Sequence, residues 1–228
     1  MAKVVLVCGY GPGISEAVAR KFGSEGFVVA LVGRTRSRVD QGAQALGDAK
    51  ITAKGFQCDL GDVEAVNALV AEVRASLGPI SVVHWNAYSG KAGDLTTAPP
   101  ADLRDVFDVA VHGLLATLQA ALPDLKKEGG ALLVTGGGLS SYADAVNQVA
   151  VQWDAMGLAL AKAAQHKLVG LLNKKLGPDG VYAGEVTVLS LVKGTTFDRG
   201  GATLEPAAIA DKFWEMFQSR SAVYAEIS

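Results

Sequence analysis

Val4-Val5-Leu6-Val7-Cys8-Gly9-Tyr10-Gly11-Pro12-Gly13-Ile14-Ser15 is the stretch whose reading decides the fold. Val4–Val7 is a short β-branched apolar run, the kind expected of a strand buried on both faces of a parallel sheet. Three glycines follow at alternate positions, and Glu16–Glu25 then carries Ala17, Val18 and Phe22 at helical spacing. The pattern is strand, glycine turn, helix. A helix starting there aims unpaired N–H groups and the positive end of its dipole into the turn. Gly9, Gly11 and Gly13, with Ile14 leading into the helix, let the backbone turn sharply and approach a phosphate closely. Glycine-rich turns also serve as plain connectors, so the rest of the chain must decide between the two uses.

The totals narrow the classes. A chain of 228 residues suits one domain with a sizeable core. A formal charge of −2 provides no basic field, which disfavours a nucleic-acid partner. No continuous apolar run approaches the roughly 20 residues of a bilayer span, so no membrane association is expected. Met1-Ala2-Lys3 leads directly into the first strand and does not resemble a cleavable leader. These features predict a cytoplasmic protein. Cys8 and Cys58 fall near the ends of predicted strands without CxxC spacing, so neither a disulfide nor a metal is expected.

Further along, strands and helices alternate. Strands are predicted at Val28–Val32, Ile51–Gln57, Ile80–Trp85, Gly130–Thr135, Glu185–Val192 and Ala222–Ile227. Helices are predicted at Ser37–Leu46, Asp62–Leu77, Ala101–Leu125, Val149–Leu176 and Glu205–Gln218, with a glycine-rich loop at Gly136–Asn147. This order implies an α/β fold, a three-layer doubly wound parallel sheet of about seven strands with right-handed crossovers. The second strand ends in Gly33-Arg34-Thr35-Arg36-Ser37-Arg38. An acid at that place would receive the ribose of NAD, whereas an Arg receives the 2′-phosphate of NADP. Arg34 stands there, with Thr35 beside it and Arg36 or Arg38 as supporting charge, so NADP (NADPH) is the expected cofactor.

The chain resembles the short-chain dehydrogenase/reductase family, a Rossmann-fold family, over essentially its whole length. Cys8-Gly9-Tyr10-Gly11-Pro12-Gly13-Ile14-Ser15 is similar to the family's Thr-Gly-xxx-Gly-Ile-Gly turn, with Cys for Thr and Ser for the last Gly. Asp59-Leu60 resembles its adenine-side Asp-Leu, and Trp85-Asn86-Ala87-Tyr88 its Asn-Asn-Ala-Gly. Val192-Lys193-Gly194-Thr195-Thr196 is similar to the exit of its sixth strand, with Lys193 where Pro is usual; residues after that exit, here Thr195 and Thr196, reach the nicotinamide carboxamide. Lys162 aligns with the family's Lys, which bonds the nicotinamide ribose.

The resemblance breaks at the catalytic groups. Leu158 falls on the family's Tyr, Gly137 on its Ser and Ala110 on its Asn. The Tyr protonates the oxygen that receives charge during hydride transfer, and losing such an acid costs about two to four powers of ten in rate. Lys162, Ser140, Ser141 and Tyr142 are the candidate substitutes, although the loop hydroxyls also suit ordinary turn chemistry. His112, His84 and His166 read as packing or interface residues, and Trp153 and Asp154 as the start of the Val149 helix. Two functions remain open. One is an atypical NADP-dependent oxidoreductase acting on a small carbonyl, alcohol or enone, with an apolar pocket formed by Leu158, Ala110, Trp85 and Leu139. The other is a non-catalytic NADP-binding sensor or partner protein. Leu114, Leu115, Leu118 and Leu122, with Leu168, Leu171 and Leu172, suggest helices that pair in a homodimer or homotetramer.

Overall fold

The computed structural model describes residues 3–198 and 200–228; Met1, Ala2 and Arg199 lie outside the described residues. Seven strands form one sheet in the order β3-β2-β1-β4-β5-β6-β7. They are β1 (Val4–Cys8), β2 (Val28–Gly33), β3 (Ala53–Gln57), β4 (Ile80–Trp85), β5 (Ala131–Gly137), β6 (Tyr182–Val188) and β7 (Tyr224–Ile227). Every neighbouring pair is parallel. Alternation along β1 feeds two cores: Val4, Leu6 and Cys8 face one side, Val5 and Val7 the other.

Helices cover both faces. On the Val5 side lie α1 (Ile14–Ser24), α2 (Arg36–Asp48) and α8 (Pro206–Ser219), whose Phe22, Val39 and Phe213 are fully buried. On the Leu6 side lie α3 (Val63–Leu77), α5 (Leu114–Glu128) and α7 (Met156–Leu176), which contribute Val70, Leu125 and Val169. Asp62 starts α3 by accepting N–H bonds from Glu64 and Ala65.

Three predicted elements are corrected. The Ala101–Leu125 helix is α4 (Pro100–Phe107), a π-helical turn at Asp108–Gly113, and α5. By length and composition Pro100–Glu128 is long and apolar enough to cross a bilayer, although it contains no uninterrupted apolar run of that length. In the fold its apolar stripe of Leu114, Leu118, Ala121 and Leu125 packs into the core instead. The Val149–Leu176 helix is two: α6 (Asp144–Gln152) and α7, broken where Asp154 takes a positive φ of 48°. The α7 start is satisfied by backbone carbonyls, Met156 donating to Gly93 and Gly157 to Ala92 at 3.0 Å each. Trp153 and Asp154 thus belong to the break and not to a helix start. The sixth strand runs Tyr182–Val188, not Glu185–Val192. Leu189 and Leu191 leave the sheet and are exposed, and Val192 makes only an isolated bridge to Leu204.

Strand order reverses between β1 and β4, and there the glycine turn is locked in place. Gly9 has φ +84°, and a Cβ on it would lie 2.6 Å from the Ala87 backbone. Ser15, almost fully buried, exchanges hydrogen bonds with the Gly11 amide and carbonyl at 3.0 Å each, so the Ser in place of a Gly ties the turn to itself. His84 sits fully buried in β4, Nε2 3.1 Å from the Thr135 hydroxyl and edge-on to Phe213. Burial, and then the nearby Lys162 charge, lower its pKa to about 3.

Two stability outcomes follow from these contacts. Gly9→Ala is expected to destabilise the fold by roughly 2–4 kcal/mol from left-handed strain plus overlap with Ala87. Gly11→Ala, with nothing within 4 Å of the added carbon, is expected to change stability by less than about 0.5 kcal/mol in the same denaturant titration. For His84 the folded pKa lies below the unfolded one, so the unfolded chain takes the proton first. Stability is therefore lost as pH falls from 6.5 toward about 3, with a slope approaching about 1.4 kcal/mol per pH unit. His84→Gln is expected to flatten that part of the melting-temperature profile; an unchanged acid slope would contradict the assignment.

Candidate active site

The carboxyl ends of β1, β4 and β5 converge at the reversal, where open α/β sheets bind their ligands. Asn86 leaves β4 with its amide on the Cys8 carbonyl at 2.9 Å, and its side chain reaches the Gly9 carbonyl at 3.5 Å. Gly9, Asn86 and Ala87 therefore form one packed unit. Gly13, at φ +90°, lies beneath Thr195, whose methyl would be 2.7 Å from any Cβ there. Ile14 and Ser15 begin α1 just beyond, and Ala17 is the first amide of that helix to return to the Gly13 carbonyl. The Thr195 hydroxyl donates to the Val192 carbonyl, and Thr196 pairs with the Tyr88 hydroxyl at 3.1 Å. Tyr88 also packs against the Phe197 ring, so the segment after β6 lies against both the glycine turn and the end of β4.

At the far end of the groove, Arg34 is exposed just past β2, and its carbonyl accepts from Gln57 at 3.1 Å. Its charge reaches Asp105 on α4. The Ser89 hydroxyl, donating at 2.6 Å, together with Lys91 and Arg34, holds that carboxyl below its ordinary range. Thr35 is the N-terminal cap residue of α2 but makes no side-chain cap bond. Arg36 is engaged by Asp40 at 2.7 Å within α2, so of the three arginines after β2 only Arg34 and Arg38 have no ion pair among the described residues. Asp59 accepts from the Gly61 amide at 3.0 Å, and Leu60 is buried beside it.

The opposite end is built around Lys162. Its ammonium donates to the Thr135 carbonyl at 2.7 Å and to Gln165 Oε1 at 3.0 Å. Gln165, 1% exposed, donates in turn to the Ala110 carbonyl at 2.9 Å, so the π-helical turn supplies a backbone oxygen where its side chain is only a methyl. Such turns recur at functional sites because they displace a single residue from the helical register. Burial lowers the Lys162 pKa to about 8, while the Glu185 carboxylate opposes that shift. Leu158 lies one turn earlier on α7, buried and apolar.

The loop hydroxyls are less well placed. Ser140 is buried in the short turn after β5, and Ser141 accepts from the Ala143 amide at 3.2 Å, a turn bond. Tyr142 is 86% exposed. His112 pairs with Asp108 on the surface of the π-helical turn. Sequence reasoning missed Thr135, Gln165, Glu185 and Tyr88. Gln165 carried a legible signal, a second polar residue beside Lys162 on the inner face of α7.

The comparisons agree with this architecture. A family model for short chain dehydrogenases matches residues 3–196. Meso-2,3-butanediol dehydrogenase of Serratia marcescens is 32% identical over 213 residues, 93% of this chain and 78% of that enzyme. Among solved structures, a short-chain dehydrogenase/reductase from Serratia marcescens superposes with a TM-score of 0.87 at 20% identity, over 99% of this chain and 96% of that one. L-Sorbose reductase from Gluconobacter frateurii, solved with NADPH and L-sorbose, gives 0.85 at 20% identity, over 100% and 95%. With a matching family model over most of its length and an enzyme relative above 30% identity, the chain belongs to the short-chain dehydrogenase family.

Proposed function

We propose that this short-chain dehydrogenase is an NADP-dependent oxidoreductase that moves hydride to or from a small carbonyl, alcohol or enone, with Lys162 managing the proton that the family's Tyr would otherwise supply. The observation that carries the proposal is the buried Lys162 ammonium, fixed on the Thr135 carbonyl one helical turn from Leu158. A lysine brought to a pKa of about 8 can both give and accept a proton near neutral pH. Tyr142, Ser140 and Ser141 stay as secondary candidates, Tyr142 because nothing packs it into place and the serines because turn geometry accounts for them.

The residues present fit the nucleotide. Around Gly11 the turn leaves space that a Cβ would not share with any protein atom. With Gly9, Gly13 and Ile14, the start of α1 would hold the pyrophosphate, Arg34 with Thr35 the 2′-phosphate, Asp59 and Leu60 the adenine, Asn86 and Ala87 the adjoining ribose edge, and Thr195 and Thr196 the carboxamide. Lys162 would hold the nicotinamide ribose. When bound, NADPH supplies the hydride. The chain's own contribution is to orient it and exclude water: Leu158 offers an apolar side chain one turn from Lys162, Trp85 and Ala110 are instead spent in the core, and Lys162 holds a proton at Nζ. The presence of NADPH in the solved L-sorbose reductase, a neighbour of the same fold, supports a nicotinamide nucleotide here.

A second reading, a non-catalytic NADP-binding sensor or partner, draws on Leu158, Gly137 and Ala110, where side-chain donors are missing together. A homodimer or homotetramer is proposed as well: Leu171 and Leu160 are exposed on α7, whereas Leu114 and Leu118 are spent in the core. A cytoplasmic location completes the reading.

Fluorescence titration is expected to give tighter binding of NADPH than of NADH. Arg34→Glu is expected to weaken NADPH by about ten- to a hundredfold, the loss of one charge-assisted phosphate contact, with NADH little changed; equal losses for both nucleotides would contradict the role of Arg34. Followed by NADPH consumption against aldehydes, ketones, quinones and enones, Lys162→Met is expected to lower turnover by about two to four powers of ten, while Tyr142→Phe retains it. Tight NADPH binding with silence across the panel would favour the sensor.

A further inference from the structure

Beneath the end of β5 the fold buries a carboxylate for which hydride transfer alone gives no role. Glu185 of β6 is fully buried. Its Oε1 accepts from His166 Nδ1 at 2.9 Å and from the Thr187 hydroxyl at 2.8 Å, and Oε2 is buried with no partner among the described residues. The group lies against Gly136, where a Cβ would come within 2.1 Å of Oε1. Thr135, the preceding residue of β5, holds the Lys162 ammonium through its carbonyl. On α7, Lys162 and His166 are four residues apart and so share a helix face. A buried cation and a buried anion are thus brought to the same strand end from a helix and from the neighbouring strand.

We propose that Glu185 is the counter-charge of Lys162, a positioning residue that keeps the ammonium protonated near neutral pH while His166 fixes the carboxylate and links it to solvent. Burying either charge alone costs several kcal/mol; the two make no direct ion pair among the described residues, and the attraction acts across the Thr135–Gly136 backbone that each of them touches. Lys162 uses two of its three N–H donors on Thr135 and Gln165, and Glu185 leaves one oxygen free. His166 completes the arrangement: its side chain is 39% exposed, and its ring stacks on Tyr224 at 4.1 Å. The inference rests on the proposed role of Lys162 at the nicotinamide end.

Glu226 on β7, in register with Thr187, and Lys167 on α7 are further charged groups on the elements packed here, and both are exposed. His84 on β4 is held neutral by burial and by Lys162 itself. Tyr224 on β7 has its pKa raised by burial and by Glu185, so it remains a neutral phenol. On the π-helical turn Asp108 is paired with His112. Asp105 on α4 is paired with Lys91, Asp144 on α6 accepts from Gln148, and Asp179 after α7 is paired with Lys126.

The test is a nuclear magnetic resonance titration of nucleotide-free, 13C-lysine-labelled protein, the Lys162 signal being identified by its loss in Lys162→Met. A midpoint of about 8 is expected in the unaltered chain. In Glu185→Gln it is expected to fall by about one pH unit or more, the usual effect of removing a near opposite charge. A merely structural Glu185 would alter stability and leave the midpoint in place; an unmoved midpoint in folded Glu185→Gln overturns the proposal. Should Glu185→Gln fail to fold, the double variant Lys162→Met/Glu185→Gln is expected to regain the fold because both charges leave together, and its failure to do so overturns the proposal equally. No nucleotide is present, so this result is independent of NADPH binding, whose absence would remove the cofactor reading and leave the charge pair standing.

Discussion

The close approach of Gly9 to Ala87 is the constraint on which the site depends. Sheet order reverses between β1 and β4, and the backbone leaving each strand must turn in the same small volume. With φ +84° and no side chain, Gly9 lets the Ala87 backbone occupy the space a Cβ would fill. The turn that follows then starts α1 pointing at the crevice, and Asn86 is tied back to Cys8 and Gly9. The same fixed edge receives the segment after β6, through Thr195 on Gly13 and Thr196 on Tyr88. The edge of the sheet at the strand-order reversal is thus shaped by backbone packing before any charged side chain is considered.

Chemistry at the other end comes from polar groups that the apolar layers cannot dissolve. Thr135 gives its hydroxyl to His84 and its carbonyl to Lys162, so β4, β5 and α7 are joined through one residue. Gln165 extends the chain to the Ala110 carbonyl, and Glu185, held by His166, lies against Gly136, the next residue of β5. Buried polar networks of this kind are costly unless satisfied. Here the unsatisfied Glu185 oxygen lies in the same region as a lysine whose proton is loosely held, which is where reactivity at neutral pH would be sought.

Most of the fold was legible in local sequence. Val4–Cys8 announces a buried strand by its continuous apolar run and Ile80–Trp85 by Ile80, Val82 and Val83, and Asp62 and Gly78 mark the limits of α3. What failed failed for tertiary reasons. Val186–Val192 is as apolar as a strand, but Tyr182 already pairs through Gly130, and the later residues cross over to the exposed loop. Starting that strand at Glu185 hid the oddity of a carboxylate at its centre. The break at Asp154 is invisible locally because carbonyls of Ala92 and Gly93, distant in sequence, supply the cap of α7. Gly9, Arg34, Asn86 and Lys162, proposed here to hold the nucleotide, are read from spacing and resemblance. The engagement of Arg36 by Asp40 and the exposure of Tyr142 required coordinates.

Where a bound nucleotide lies relative to Lys162 decides the proposed chemistry. A crystal structure of the NADPH complex tests this most directly. The expected result places the pyrophosphate at the Gly9–Ser15 turn, the 2′-phosphate on Arg34 and a nicotinamide ribose hydroxyl within hydrogen-bond distance of Lys162 Nζ, with no other protonatable side chain nearer the nicotinamide C4. A nicotinamide ring turned away from α7, or a different acid such as Tyr142 or Tyr88 at C4 with Lys162 still bound only to Thr135 and Gln165, would contradict it.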